Sequence, residues 1–277
     1  MNFLGLPGFE GVKPAARWRP RRVEAVLPAE AAVIGVVATA LLALAAVAGR
    51  ALTPYAGLVA AAFGTVIVVL VGFPYLALLV LFVATSALAT RYRFDEKRRQ
   101  HLQEGRMGER GVSNVVAHIV LPTVIAAVGG IAPSLLATRA TPLLFASALA
   151  FGASDTLASE FGVLAGHARS ILTGKPVAPG TNGGVSGLGH VFAFVGSLTT
   201  AVVGLLLFWA FRTPLPNPVL FVVTVIVAGF VACQVDSVLG ELYENDGRLT
   251  KGSTNLLGML SAVAIAAAVL AVAGTLV

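Results

Sequence analysis

Two acidic phrases recur at the ends of long apolar runs, Asp155-Thr156-Leu157-Ala158-Ser159-Glu160 and Asp236-Ser237-Val238-Leu239-Gly240-Glu241. On a helix, Asp155 and Ser159 share a face, as do Thr156 and Glu160, and Asp236 with Gly240 repeats the first pairing. Carboxylates at the end of a hydrocarbon-crossing helix are costly unless water, a cation or an opposite charge meets them. A polar loop follows each phrase, with Gly180-Thr181-Asn182 in the first and Gly252-Ser253-Thr254-Asn255 in the second. The first loop continues as Gly183-Gly184-Val185-Ser186. Glycines at this density let backbone amides approach an anion, and a helix start behind them adds its positive end. The loop is not a Walker A sequence, but Lys175 and Lys251 stand where they could neutralise phosphate. Hard oxygen ligands, few in number and shared with water and substrate phosphates, suit magnesium. The chemistry indicated is cation-assisted handling of phosphate groups.

Composition sets these residues in a membrane. The chain is 57% hydrophobic and 12% charged, against about 25% charged in an average soluble protein. Eight apolar stretches run Ala31 to Gly49, Tyr55 to Val71, Pro74 to Thr90, Val115 to Ala132, Leu143 to Ser159, Gly189 to Phe211, Val219 to Leu239 and Leu256 to Val277. Most approach the roughly 20 residues that a helix needs to cross the bilayer. The expected fold is all-α, a polytopic transmembrane bundle of seven or eight helices behind a basic tail over residues 1–30. The second to fourth stretches are short or broken by Gly and Pro, which leaves open a re-entrant segment among them. The two phrases sit in units of matching layout, a helix, a polar loop and a returning helix, consistent with a parallel internal repeat.

Lys and Arg favour the cytoplasmic side, and the Arg91 to Asn114 loop carries Lys97 with Arg91, Arg93, Arg98, Arg99, Arg106 and Arg110. Counting helices from it returns the loops at 161–186 and 240–255 to the same face and places the turns near Arg139 and Arg212 opposite. The expected setting is the cell membrane, with the acidic phrases opening to the cytoplasm. The tail, with Lys13, Arg17, Arg19, Arg21 and Arg22, disagrees, because three full crossings before Thr90 put it outside. It lacks the apolar core of a cleaved signal peptide. The net charge of +6 is concentrated in the tail and one loop, as expected beside anionic headgroups. Without interleaved aromatic residues it does not indicate nucleic acid. The charge run Arg93 to Arg99 reads as solvated or headgroup-facing surface. Single Cys233 excludes an intrachain disulfide, and no histidine pair has zinc spacing. His118 and His190, in or beside apolar segments, read as packed residues.

Ala153-Ser154-Asp155-Thr156-Leu157-Ala158-Ser159-Glu160-Phe161-Gly162 followed by Pro179-Gly180-Thr181-Asn182-Gly183-Gly184-Val185-Ser186 resembles the signature of the family that contains the plant phytyl-phosphate kinases and transmembrane protein nineteen. Leu52-Thr53-Pro54-Tyr55-Ala56-Gly57, the basic loop ending at Arg110 and Asn114, Asp236-Ser237-Val238-Leu239-Gly240 and Asn255-Leu256-Leu257 extend the resemblance in order. Departures stand at Leu157, where a Trp is common, at His118-Ile119, where Asn-Gly is common, and at Glu241, where a small residue is expected. The resemblance implies phosphorylation of an isoprenoid monophosphate to the diphosphate by a nucleoside triphosphate, CTP in particular. Phosphoryl transfer asks mostly for positioning and charge neutralisation. On that reading Asp155 and Asp236 hold magnesium, with Glu160 as ligand or supporting partner. Lys175, Thr181, Asn182, Ser186 and Lys251 meet phosphates, helped by Thr156, Ser159, Gly180, Gly183, Gly184, Ser253 and Asn255. Arg110 and Asn114 meet a headgroup, and the apolar helices hold the prenyl tail. Two other readings use the same residues: a secondary transporter of an anionic solute, and a cytidylyltransferase that forms a CDP-lipid.

Overall fold

A computed structural model describes residues 29–274. The elements are α1 (Ala29–Ala48), α2 (Pro54–Val71), α3 (Phe73–Arg91), the short α4 (Phe94–Arg99), α5 (Val112–Ile131), α6 (Ala140–Gly162), β1 (Ala168–Ser170), β2 (Pro176–Val177), β3 (Gly184–Val185), α7 (Gly187–Ala210), α8 (Pro218–Leu239) and α9 (Lys251–Val272). A single π turn, Gly240–Glu244, extends α8. Of the tail, Lys13 to Arg22 lie outside the described residues. Among the described residues seven helices are long and apolar enough to cross a membrane: α1, α2, α3, α5, α7, α8 and α9.

Sequence signals explain where the helices begin. Thr53 caps α2 ahead of Pro54, and Asn217 caps α8 ahead of Pro218. Ser186 caps α7 through the Gly189 amide, and Thr250 with Ser253 forms a reciprocal capping box on α9. The segments suspected of re-entrance are helices of 18 to 20 residues, so no span is missing before Arg91. Local Gly and Pro are absorbed instead: Gly72 alone joins α2 to α3, and Pro122 sits within α5.

Helix α6 occupies the middle and packs on α3, α5, α7, α8 and α9. Leu143, Phe145, Leu149, Ala150 and Phe151 are fully buried on it. It is the one long helix that falls short of the membrane-crossing set, because Ser147, Ser154, Asp155, Thr156, Ser159 and Glu160 dilute its apolar character. Small residues bring α7 close, and a Cβ on Gly196 would stand 2.7 Å from the Ala153 carbonyl carbon.

The polar segments gather at one end. Thr53 N donates to the Arg110 carbonyl at 3.1 Å and Arg110 N to that of Ala51 at 2.9 Å, which ties the α1–α2 turn to the loop before α5. The α2–α3 joint lies at the far end, where Gly130 of α5 meets the Leu70 backbone. Helix α1 therefore starts at the end opposite the polar loops, as three crossings require. Between α6 and α7 the chain folds into a small antiparallel sheet in the order β2-β1-β3, with Arg169 opposite both Pro176 and Val185.

Candidate functional site

The ends of α6, α7, α8 and α9, the β2–β3 loop and the segment His101–Glu104 enclose a cavity of about 340 Å³. Its inner residues include Asp155, Ala193, Cys233 and Asn255, each within a few turns of a helix end. Gly180, Thr181, Asn182, Gly183, Gly184 and Ser186 form the opposing wall. That loop thus stands against the first acidic phrase, with Asp155, Ser159 and Glu160 lining the same space.

The two aspartates meet across this space. Both line it, close enough for their charges to act on each other. Asp236 Oδ1 is buried and has no hydrogen-bond partner among the described residues. The Asp155 carboxylate has a single basic neighbour within 4.0 Å among the described residues, His118 Nε2 at that distance from Oδ2. A buried carboxylate oxygen left without a donor favours a cation or a ligand's hydrogen-bond donor as its partner. Lys251, at the first turn of α9, lines the cavity and reaches Glu104 Oε2 at 3.4 Å. Burial pulls the Glu104 carboxyl upward, but the Lys251 ammonium and the Arg110 guanidinium outweigh it and hold the group below the ordinary carboxylate range. Glu244, on the π turn, also lines the cavity and accepts a hydrogen bond from Thr254.

Other expected site residues are engaged differently. Glu160 touches the cavity wall, yet its Oε1 accepts from Thr90 Oγ1 at 2.6 Å and its Oε2 from Lys97 Nζ at 2.6 Å. Lys97 is 1% exposed and also donates to the Ala89 carbonyl. The charge run is thus not all surface: Lys97 turns inward and takes the carboxylate that would have served the metal. Thr156 is buried away from the cavity lining, because its place on α6 faces the packed side. Lys175 is exposed on the turn between β1 and β2 and does not line the cavity, since the hairpin carries it outward. Ser253 is spent in its capping box. Glu241 accepts from Ser170 Oγ at 2.5 Å and from Leu172 N at 3.3 Å, so it pins the hairpin rather than repeating the role of Glu160. Ser186 likewise caps α7 while lining the cavity, and Ser159 lines it with its hydroxyl donated to the Thr156 carbonyl.

Arg110 and Asn114 stand behind the cavity rather than on its lining. Arg110 Nη1 donates to Asn114 Oδ1 at 3.1 Å, and the Asn114 carbonyl accepts from His118 Nδ1 at 2.9 Å. His118 Nε2 is 3.4 Å from Asn255 Nδ2. His118 is therefore packed, as its apolar setting suggested, but it also touches the site. Its spacing of four from Asn114 and eight from Arg110 was the available signal. Glu104 and Glu244 were missed as well, and neither carries a pattern that sets it apart from its charged neighbours.

The residues suit magnesium in part. Among the described residues no three His, Cys, Asp or Glu side chains converge as a ready cage. Asp155 and Asp236 supply two carboxylates, and magnesium commonly takes one or two from protein and the rest from water and phosphate. On the other face of α6, Phe82, Leu88, Tyr92, Leu157, Phe161 and Phe192 line an apolar groove of about 570 Å³. Phe161 and Phe192 stack there at 3.7 Å.

Residues 37–256 match the profile of the integral membrane protein DUF92 family. The chain belongs to that family. An uncharacterized membrane protein of Methanocaldococcus jannaschii is 27% identical over 200 residues, 71% of this chain and 76% of its own length. An uncharacterized membrane protein of Synechocystis is 30% identical over 239 residues, covering 82% and 88%. Protein PGR of Arabidopsis thaliana is 29% identical over 194 residues, covering 64% and 66%. No solved structure matches. The DUF92 match spans both acidic phrases, the glycine-rich loop and Asn255 of this chain.

Proposed function

We propose that this DUF92 protein transfers a phosphoryl group from a nucleoside triphosphate, CTP by the family resemblance, to an isoprenoid monophosphate. The observation that carries the reading is the cavity itself, where Asp155 and Asp236, the latter with a buried oxygen that has no hydrogen-bond partner among the described residues, line the same space as a glycine-rich loop and Lys251 at one end of the bundle. Three long helices, α5, α7 and α9, begin at that end and add their positive dipole ends. Asp155 and Asp236 would hold magnesium, which when bound neutralises phosphate charge.

The chain's own residues do the positioning. The backbone amides of Gly180, Asn182 and Gly183, in a loop where those of Thr181 and Gly184 are taken by the Ala178 and Thr181 carbonyls, gather the phosphates of donor and acceptor with the Lys251 ammonium. The acceptor oxygen already carries negative charge near neutral pH, so no side chain needs to remove its proton. The bond from the γ-phosphorus to its bridging oxygen breaks as the acceptor oxygen bonds to that phosphorus, and the nucleoside diphosphate leaves. The apolar groove and the helix faces around it accommodate a hydrocarbon chain. A secondary transporter would hold its acids near the midplane, whereas here both lie close to helix ends on one side.

Purified protein given geranylgeranyl or phytyl monophosphate, magnesium and each labelled nucleoside triphosphate should yield lipid diphosphate. Asp155→Ala and Asp236→Ala should abolish the product. Robust turnover in Asp155→Ala would overturn the site, and a CDP-lipid product would reassign the reaction to nucleotidyl transfer.

A further inference from the structure

We propose that His118 is a positioning residue that turns the side-chain oxygen of Asn255 into the cavity, where it joins Asp155 and Asp236 in an oxygen-donor floor for a divalent cation. The inference rests on the cation-assisted reading of the cavity. His118 Nδ1 lies 2.9 Å from the Asn114 carbonyl oxygen, which can only accept, so Nδ1 carries a proton, and in the neutral ring the lone pair is then on Nε2. Nε2 in turn lies 3.4 Å from Asn255 Nδ2. An amide is asymmetric, because its nitrogen donates and its oxygen accepts. The opposite rotamer would press Oδ1 against the Nε2 lone pair, two acceptors in contact. The imidazole thus selects the orientation that leaves Oδ1 free, and Asn255, 3% exposed, lines the cavity.

The ring itself has little freedom. Phe82 packs beside it with centroids 5.6 Å apart, and a Cβ on Gly152 would stand 3.1 Å from its Cδ2. Arg110 holds Asn114 from behind. His118 also faces Asp155 Oδ2 at 4.0 Å, so one ring sets the relation between a residue of α6 and one of α9. Partners that orient ligands in this way typically change metal affinity by about 10–100-fold when removed.

The test titrates Mn²⁺, a spectroscopic substitute for magnesium, into the detergent-purified full chain without nucleotide or lipid and follows free Mn²⁺ by electron paramagnetic resonance. His118→Asn keeps an amide at the Nδ1 position for Asn114 but does not reach Asn255. His118→Gln loses the Asn114 contact but extends an acceptor to the Nε2 position. The expected result is about a tenfold weaker Kd in His118→Asn and near-native affinity in His118→Gln, with both melting temperatures lowered alike by lost packing. Wild-type affinity in His118→Asn, while Asp155→Asn fails to bind, would overturn the role of His118 and leave the cavity's cation reading standing. Affinity that falls equally in both His118 variants would reduce the residue to packing. Equal Mn²⁺ binding by wild type and Asp155→Asn would overturn the cation reading itself.

Discussion

Lys97 is a long cationic side chain withdrawn from water, and Glu160 explains how that is tolerated. The ammonium meets a carboxylate at 2.6 Å and a backbone carbonyl at 3.0 Å, and Thr90 completes the other carboxylate oxygen. Breaking one side of a buried pair leaves an uncompensated charge, which costs about 3–5 kcal/mol. Lys97→Met should therefore lower the thermal unfolding midpoint in detergent sharply, and Glu160→Gln added to it should recover a large part of the loss. An unchanged midpoint in the single variant would show that Glu160 finds another partner. Nothing in the sequence marked this pair, because its members are 63 residues apart and Lys97 sits among Arg98, Arg99 and other charges. Asp155 and Asp236 were legible for the converse reason: each is an acid set in apolar surroundings. Residue type suggested phosphate at Lys175 and Ser253 as well, but the backbone assigns one to the base of the turn between β1 and β2 and the other to a cap.

The hairpin between α6 and α7 converts loop composition into a wall. Gly183 has φ near +79°, and a Cβ there would fall 2.3 Å from that of Glu241, the side chain that pins Ser170 and Leu172. Gly183→Ala should cost about 1–2 kcal/mol from the left-handed backbone alone, with the clash in addition. Faster amide exchange confined to residues 168–185, with weaker nucleotide binding, is the expected readout. The strap from α4 to Glu104 closes the other side through Lys251. The Glu104 carboxyl is held low when folded, so its stabilising contribution is complete above the ordinary Glu range near about pH 4.3 and is lost as pH falls through the depressed folded value. Melting curves of wild type and Glu104→Gln should differ near about pH 6 and converge as acid takes the pH below the depressed folded value; a gap that widened with acid would reverse the sign. Helix boundaries could be read from Thr53, Ser186, Asn217 and Thr250. The strap could not, since its closing contact spans 147 residues.

At the scale of the molecule, the gathering of polar loops at one end gives sidedness a sharp form. With Cys233, the single native cysteine and buried, removed as background, cysteines placed at Arg99, Lys175 and Arg248 should react with a membrane-impermeant maleimide from one side only. Cysteines at Arg139 and Arg212 should react from the other. Labelling of Lys175→Cys and Arg139→Cys from the same face would require a different arrangement of α6. The number of long helices was nearly readable from apolar runs. Their arrangement around α6 was not, because hydropathy records how apolar a helix is and not which neighbours enclose it.

That central place of α6 bears on how the chain enters a bilayer. Its polar residues make it the long helix least suited to lipid by itself, and its acids add to the cost of insertion. Its neighbours α7, α8 and α9 are all synthesised later, and they cover the face that bears Asp155. A nascent chain halted before Gly187 would hold its most functional helix with three of its five helical partners missing, so stable integration of that helix has to wait for the second half of the protein.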